Sequence, residues 1–284
     1  MSIAKDEFAI GGNLRVRRLG FGAMRITGAG VWGEPPDHRE AVKLLRHAVE
    51  LGVNLIDTAD AYGPEVSEQI IAEALHPYPA DLVIATKGGY TRPGPNQWVP
   101  DGRPAHLKQA CEESLKRLKL DRIDLYQLHI PDPKVPLEES ISALAELRAA
   151  GKIRHIGVSN VSVDQVKATA AIVPIVSVQN SYNLANRESE SVLSYCEDED
   201  LGFIPYFPLG YGNLLRNRRL NEIAEGVHAT PGQIALAWLL RRSSAILPIP
   251  GTSSIAHLEE NTRARTVTLK DADFRTLDRA ARSI

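Results

Sequence analysis

Four side chains able to carry or move protons sit just beyond apolar runs. Asp57 closes VNLID, Lys87 closes LVIATK, His129 closes IDLYQLH, and Tyr62 follows Asp57 by five residues in the stretch DTADAYG. A phenol, with an ordinary pKa near ~10, is a poor acid at neutral pH, but an ammonium beside it stabilises the phenolate. Lowering that pKa by about two units takes ~2.7 kcal/mol of differential interaction, within reach of one partly buried lysine. Lys87 would be costly after so apolar a run unless paired, and Asp57 is the obvious counter-ion. His129 could then donate a hydrogen bond to the same substrate oxygen that Tyr62 protonates. An acid aimed at an oxygen, with no strong nucleophile nearby, points to carbonyl reduction with the hydride coming from a cofactor.

Taken singly, each residue has a duller explanation. Lys87 could be a solvated loop charge, His129 a packed or capping residue, and Asp57 a turn residue or helix cap. The joint placement favours chemistry, provided that the fold brings the three run ends to one rim.

The pattern predicts such a fold. RLGFG (18–22), VNLID (53–57), LVIATK (82–87), IDLYQLH (123–129), RHIGVS (154–159), IVSVQ (175–179), GFIPY (202–206) and AILPI (245–249) read as buried strands. Between them lie amphipathic helices: Arg39–Leu51 with the stripe Ala41, Leu44, Leu45 and Ala48 after a cap at Asp37, a helix opened by Pro104, and one after Pro136 that stops at Gly151. The strand starts recur about every 33 residues, as expected of a (β/α)8 TIM barrel, whose side chains at the carboxyl ends of the strands converge on one mouth. The expected organisation is a single α/β domain over residues 1–284. An N-terminal hairpin spans 7–16, turned at Gly11-Gly12-Asn13, and a C-terminal helix spans 270–282. An open doubly wound sheet is the rival, but its GxGxxG signal is missing, because the first strand ends in GFGAM. The segment 88–103, which carries Tyr90 and Trp98, reads as one long irregular loop.

Composition narrows the function classes. Lys and Arg total 33 against 35 Asp and Glu, for a net charge of -2 over 284 residues, which argues against a strongly basic nucleic-acid or membrane-surface binder. Apolar stretches fall far short of a bilayer span, and Cys111 and Cys196 are the only cysteines. MSIAKDEF carries acids where a signal peptide would place its apolar core. A cytoplasmic, reduced protein is expected, a monomer or small homo-oligomer. The histidines lack helical pair spacing and no CxxC occurs, so no metal site is expected. Ile249–Asn261, IPGTSSIAHLEEN, is a Gly/Ser/Thr turn opening a helix, and such an N-terminus after the last strand of a barrel suits a cofactor phosphate.

These motifs together resemble the aldo-keto reductases. The matching pieces are DTADAYG, IATKGG, YQLHIPD, GKIRHIGVSN, VQNSYNL and IPYFPLG, in family order along nearly the whole chain. The resemblance implies that Asp57, Tyr62, Lys87 and His129 form the catalytic tetrad. It further implies that Ser159, Asn160 and Gln179 bind the nicotinamide carboxamide and that Tyr206 stacks on its ring. Gly22, Met24, Asp57, Pro208, Leu209, Gly210, Gly251, Thr252, Ser253, Ser254 and His257 would complete the cofactor site, with Glu260 and Asn261 at the adenine. Gly251 and His257 stand where the best-known members carry Lys and Arg, which weakens the usual grip on a 2′-phosphate. The hydroxyls at 252–254 can still donate to it, so NADPH is expected ahead of NADH. The nearest branch is a bacterial one that includes pyridoxal reductases. Pyridoxal is therefore the first candidate substrate, with Trp32, Tyr90, Trp98 and Tyr211 overhanging the mouth as surfaces for a flat ring. The alternatives are a nicotinamide-sensing binding subunit with little turnover and an NAD-dependent dehydrogenase running in the oxidative direction.

Overall fold

The structure is a computed structural model that describes residues 6–210, 212, 215 and 218–280. Its first elements are an antiparallel pair, β1 (Glu7–Ile10) and β2 (Leu14–Arg17), joined through Gly11 and Gly12 at φ +58° and +76°. Ile10, Leu14 and Val16 face Leu55, Val83, Ala85, Leu125, Val176, Ile204 and Leu247, which point into the barrel. The hairpin thus plugs the amino ends of the strands. Each fully buried aliphatic contributes about 1.5–3 kcal/mol.

The barrel staves follow. They begin with β3 (Phe21–Gly22), β4 (Leu55–Asp57) and β5 (Val83–Gly88). After β5 comes the segment expected to be an irregular loop, and here the structure corrects the sequence reading. It is a second antiparallel hairpin, β6 (Tyr90–Gly94) with β7 (Gln97–Pro100), turned at Pro95-Asn96 with Asn96 at φ +55°. Pro93 and Pro100 lack the N–H of a regular ladder, and the register shifts between Thr91 and Gly94, so no clean alternation marked the pair. The sheet resumes with β8 (Ile123–Leu128), β9 (Ile153–Ser159), β10 (Ser177–Gln179) and β11 (Gly202–Phe203).

Among the described residues these seven strands are parallel, in the order β3, β4, β5, β8, β9, β10, β11. The eighth run, 245–249, is less regular than expected. It makes one isolated bridge, Phe203 to Ile246, with Leu247 N donating to Phe203 O at 2.8 Å. Pro248 and Pro250 cannot donate, which limits the ladder. The Gly20 N–H nevertheless reaches Pro248 O at 2.9 Å and closes the ring. The architecture is a (β/α)8 barrel.

Helices return the chain between staves, several with a readable start. Asp37 caps α1 (His38–Glu50) by accepting from Glu40 N, and Ala41, Leu44, Leu45 and Ala48 are buried on one face, together with Val42. α2 (Val66–Leu75) follows β4. Pro104 opens α3 (Pro104–Leu118), and α4 (Leu137–Ala149) starts after Pro136 and ends before Gly151 at φ +74°. α5 (Val163–Ala170), α6 (Glu190–Asp198), α7 (Arg218–Gly226) and α8 (Pro231–Arg242) lead to α9 (Ile255–Arg263) and α10 (Asp271–Ala280). None of the described helices is long and apolar enough to cross a membrane.

Candidate active site

Strand register puts the proton-carrying residues on one inner wall. In β4 Asp57 pairs with Ala85 of β5, and Lys87 lies two residues further along the same face. Lys87 in turn pairs with Gln127 of β8. Side chains alternate faces along a strand, so Leu55, Val83, Ala85 and Leu125 fill the barrel below while Asp57, Lys87 and Gln127 form the next layer up.

The centre of the cluster is a buried ion pair. Lys87 Nζ donates to Asp57 Oδ2 at 2.7 Å, to the Thr58 carbonyl at 2.8 Å and to the Tyr62 hydroxyl at 3.4 Å. Lys87 is 0% exposed and Asp57 2%. The other carboxylate oxygen, Oδ1, accepts from Gln179 Nε2 at 2.8 Å and from Gln127 Nε2 at 3.3 Å. Both carboxylate oxygens of Asp57 are therefore occupied, one by the ammonium and the other by two side-chain amides. Gln127 was not foreseen. Its signal was present, since it shares the period-two register of Leu125, but a glutamine inside an apolar strand reads as a packed residue.

Tyr62 and His129 complete the layer, with ring centroids 5.9 Å apart at an interplanar angle of 79°. Lys87 Nζ lies 5.1 Å from the Tyr62 ring centroid. The electrostatics differ from the sequence expectation in one respect. Burial raises the Tyr62 phenol above its ordinary pKa and outweighs Lys87, which pulls it down; Asp57 adds to the rise. The ammonium limits this rise without reversing it, because the cost of burying a phenolate is the larger effect. Burial also pushes Lys87 downward, but Asp57 and Tyr62 outweigh it and hold the ammonium above its ordinary value. His129 is driven well below the usual imidazole range by burial, with Lys87 and Arg92 adding to the effect, so it is neutral at physiological pH.

A nicotinamide nucleotide fits the residues beside this cluster. Asn160, at φ +59°, accepts from the Tyr206 hydroxyl at 2.7 Å and donates to the His129 carbonyl at 3.0 Å and to Ser159 Oγ at 3.1 Å. Ser159 keeps a hydroxyl proton to donate, and Gln179, whose amide nitrogen holds Asp57, keeps a carbonyl oxygen to accept, the pair that a carboxamide requires. Pro208, Leu209 and Gly210 form the turn after Tyr206, with Gly210 N donating to Phe207 O at 2.9 Å. Gly22 and Gly251 lie backbone to backbone, where a Cβ on either would come within 2.6 Å of a carbonyl oxygen. Met24 lies half-buried in the short helical turn that follows Gly22. At the start of α9, Ser254 accepts from His257 N at 3.4 Å and Thr252 Oγ1 accepts from Ser254 N at 3.0 Å. Ser253 and His257 are exposed there. Asn261 is buried, and Glu260 accepts from Thr230 Oγ1 at 2.5 Å, tying α9 to α8.

The expected substrate surfaces converge in part. Tyr90 meets His129 edge to face at 4.7 Å, and Trp98 lies 6.3 Å from Tyr62 and 6.2 Å from His129. Both stand on the β6–β7 hairpin. Trp32 bridges to Gly63 in the Tyr62 loop. Tyr211 lies outside the described residues.

A buried ammonium–carboxylate pair under a phenol, with a neutral imidazole opposite, at the carboxyl rim of a (β/α)8 barrel, defines an enzyme that can protonate an oxygen. The Aldo/keto reductase family model matches residues 18–282. The chain is 48% identical over 273 residues to an uncharacterized oxidoreductase of Schizosaccharomyces pombe, covering 96% of this chain and 89% of that one. It is 45% identical over 286 residues to the pyridoxine 4-dehydrogenase of Escherichia coli, covering 99% and 100%. An aldo-keto reductase of Klebsiella pneumoniae, solved in complex with NADPH, superposes with a TM-score of 0.84 at 27% identity over 98% of this chain and 96% of that one. The chain belongs to the aldo/keto reductase family and is an NAD(P)H-dependent oxidoreductase that reduces carbonyl groups.

Proposed function

We propose that the protein, acting as one barrel domain, reduces an aromatic aldehyde with NADPH, pyridoxal being the first candidate. The observation that carries this reading is Tyr62, set beside the Lys87–Asp57 pair and walled by Tyr90 and Trp98. The likeness to a pyridoxine 4-dehydrogenase and to an enzyme solved with NADPH supports the substrate and the cofactor.

A bound nicotinamide supplies the hydride. Ser159, Asn160 and Gln179 would orient its carboxamide, Tyr206 would lie against its ring, and Thr252, Ser253 and Ser254 would meet its phosphates. On this reading the Tyr62 hydroxyl gives its proton to the substrate oxygen. The phenolate left behind is stabilised by Lys87, whose ammonium Asp57 fixes in place. Neutral His129 donates a hydrogen bond to the same oxygen, and this bond strengthens as negative charge develops. Burial leaves the phenol a weaker acid in the free protein, so on this reading the transfer depends on Lys87 stabilising the phenolate as it forms.

The test is loss of reduced-nicotinamide absorbance with pyridoxal and a panel of aromatic and aliphatic aldehydes, with NADPH and NADH run side by side. Preference for NADPH and turnover of pyridoxal are expected. Tight cofactor binding without turnover of any aldehyde would favour a sensing subunit, and turnover only of pyridoxine with NAD would favour an oxidative dehydrogenase.

A further inference from the structure

Arg92, on β6, is buried although no carboxylate acts on it among the described residues. Burial of an arginine in this way costs stability unless every donor is matched. Each of its three nitrogens, with three of the five N–H donors, is matched by a carbonyl from a separate segment. Nε donates to Gln97 O at 2.8 Å, Nη1 to Ala61 O at 2.6 Å and Nη2 to Gly30 O at 3.0 Å. Ala61 precedes Tyr62, Gly30 belongs to the segment that carries Trp32, and Gln97 precedes Trp98. The guanidinium carbon Cζ lies over the Trp98 ring, 3.6 Å from its centroid, and 5.9 Å from that of Trp32. Trp98 presents its edges in turn to Tyr62, Tyr90 and His129.

We propose that Arg92 is a positioning residue that sets substrate selectivity: its fork ties the Trp32, Tyr62 and Trp98 segments together, so that Trp98 is held as the wall against which a flat carbonyl substrate packs. The inference rests on the proposed reduction of aromatic aldehydes and deepens it. Only a planar fork serves three diverging carbonyls while stacking on an indole. A lysine keeps the charge and loses the arrangement.

The experiment compares the wild type with Arg92→Lys and Arg92→Met, using 4-nitrobenzaldehyde and propanal at saturating NADPH. Both variants are expected to raise KM for the aromatic aldehyde about tenfold, with kcat, NADPH affinity and the kinetics of propanal changed less than about twofold, the pattern of lost ground-state packing. Acrylamide quenching of indole emission should increase in both variants, because Trp98 and Trp32 loosen while Trp238, fully buried, stays shielded. A wild-type KM in Arg92→Lys, an equal loss with both aldehydes, or unchanged quenching would overturn the proposal. If Arg92→Met does not fold, Arg92→Gln, which keeps a planar polar end but cannot span the three carbonyls, must show the same split. A wild type that reduces no aldehyde sinks the proposed function, and quenching still decides the role of Arg92.

Discussion

The mouth of the barrel is built in two ways. The cluster of Asp57, Lys87 and Gln127 stands on strands, in neighbouring register positions, and its contacts are ionic and fully buried. The wall of Trp32, Tyr90 and Trp98 stands on connecting segments, and Arg92 braces it through backbone carbonyls and ring faces. The strand-built part has little room to vary, because loss of either Asp57 or Lys87 leaves a charge unpaired in the barrel. The loop-built part can change its side chains while the sheet stays as it is. Common chemistry with variable substrates is the consequence, and the two parts should fail differently when altered.

Tyr62→Phe should show the largest effect. It removes the proton on the proposed path and leaves the ion pair in place, so kcat should fall about 10²–10⁴-fold while NADPH affinity stays near the wild type. Stopped-flow reduction together with a fluorescence titration of NADPH checks both halves. Retained turnover would remove Tyr62 as the acid. Lys87→Met strikes the same cluster through its charge. It leaves Asp57 as a buried carboxylate held only by Gln127 and Gln179, and should cost about 3–5 kcal/mol of stability in addition to activity. Urea unfolding reads this directly, and a stable Lys87→Met would show that the pair is not what holds the layer together.

The contrast also explains what could be read from the chain. Asp57, Lys87 and His129 were legible because each is a polar residue that ends an apolar run, and in a barrel all such ends meet. Gln127 was hidden because nothing in YQLH separates an amide that holds a carboxylate from one that fills space. Arg92 was beyond reach, since its partners are carbonyls at Gly30, Ala61 and Gln97, and carbonyls carry no residue type. The hairpin at 90–100 was missed because prolines broke its alternation. The direction of the Tyr62 shift was missed for a different reason: the attraction to Lys87 can be inferred from type and order, whereas the opposing cost of burial needs the surrounding atoms.

Tyr90→Leu sharpens the comparison from the wall side. Tyr90 meets His129 and Trp98 edge to face at 4.7 and 5.3 Å, and stands off the ion pair. Removing its ring should weaken aromatic packing by about 0.5–1.5 kcal/mol, a KM increase of about 2- to 13-fold for an aromatic aldehyde, with propanal nearly unaffected. An equal fall in kcat for both substrates would instead mean that the ring orients His129, and the division between strand-built chemistry and loop-built selectivity would then be too sharp.

The smallest effect tests whether the strand-built layer is as dry as its geometry implies. His129 has a folded pKa well below its ordinary value because burial, Lys87 and Arg92 all oppose its charge. The unfolded chain therefore takes up a proton near ~6.5 that the folded chain refuses, so stability is complete above that pH and lost as pH falls below it. Between pH 7.5 and 5.5 the loss should be on the order of 1 kcal/mol for this one group. His38 and His47 run the other way, raised by hydrogen bonds to Glu34 and Glu73 and to Glu50 and Glu259, but they are only half-buried and present in any variant. Comparing wild type with His129→Phe cancels them: the wild type should lose on the order of 1 kcal/mol more than the variant over that interval, measured by urea unfolding. Equal losses would mean that His129 protonates freely in the folded barrel, that water reaches the layer, and that Lys87 and Asp57 face a more polar environment than their contacts describe.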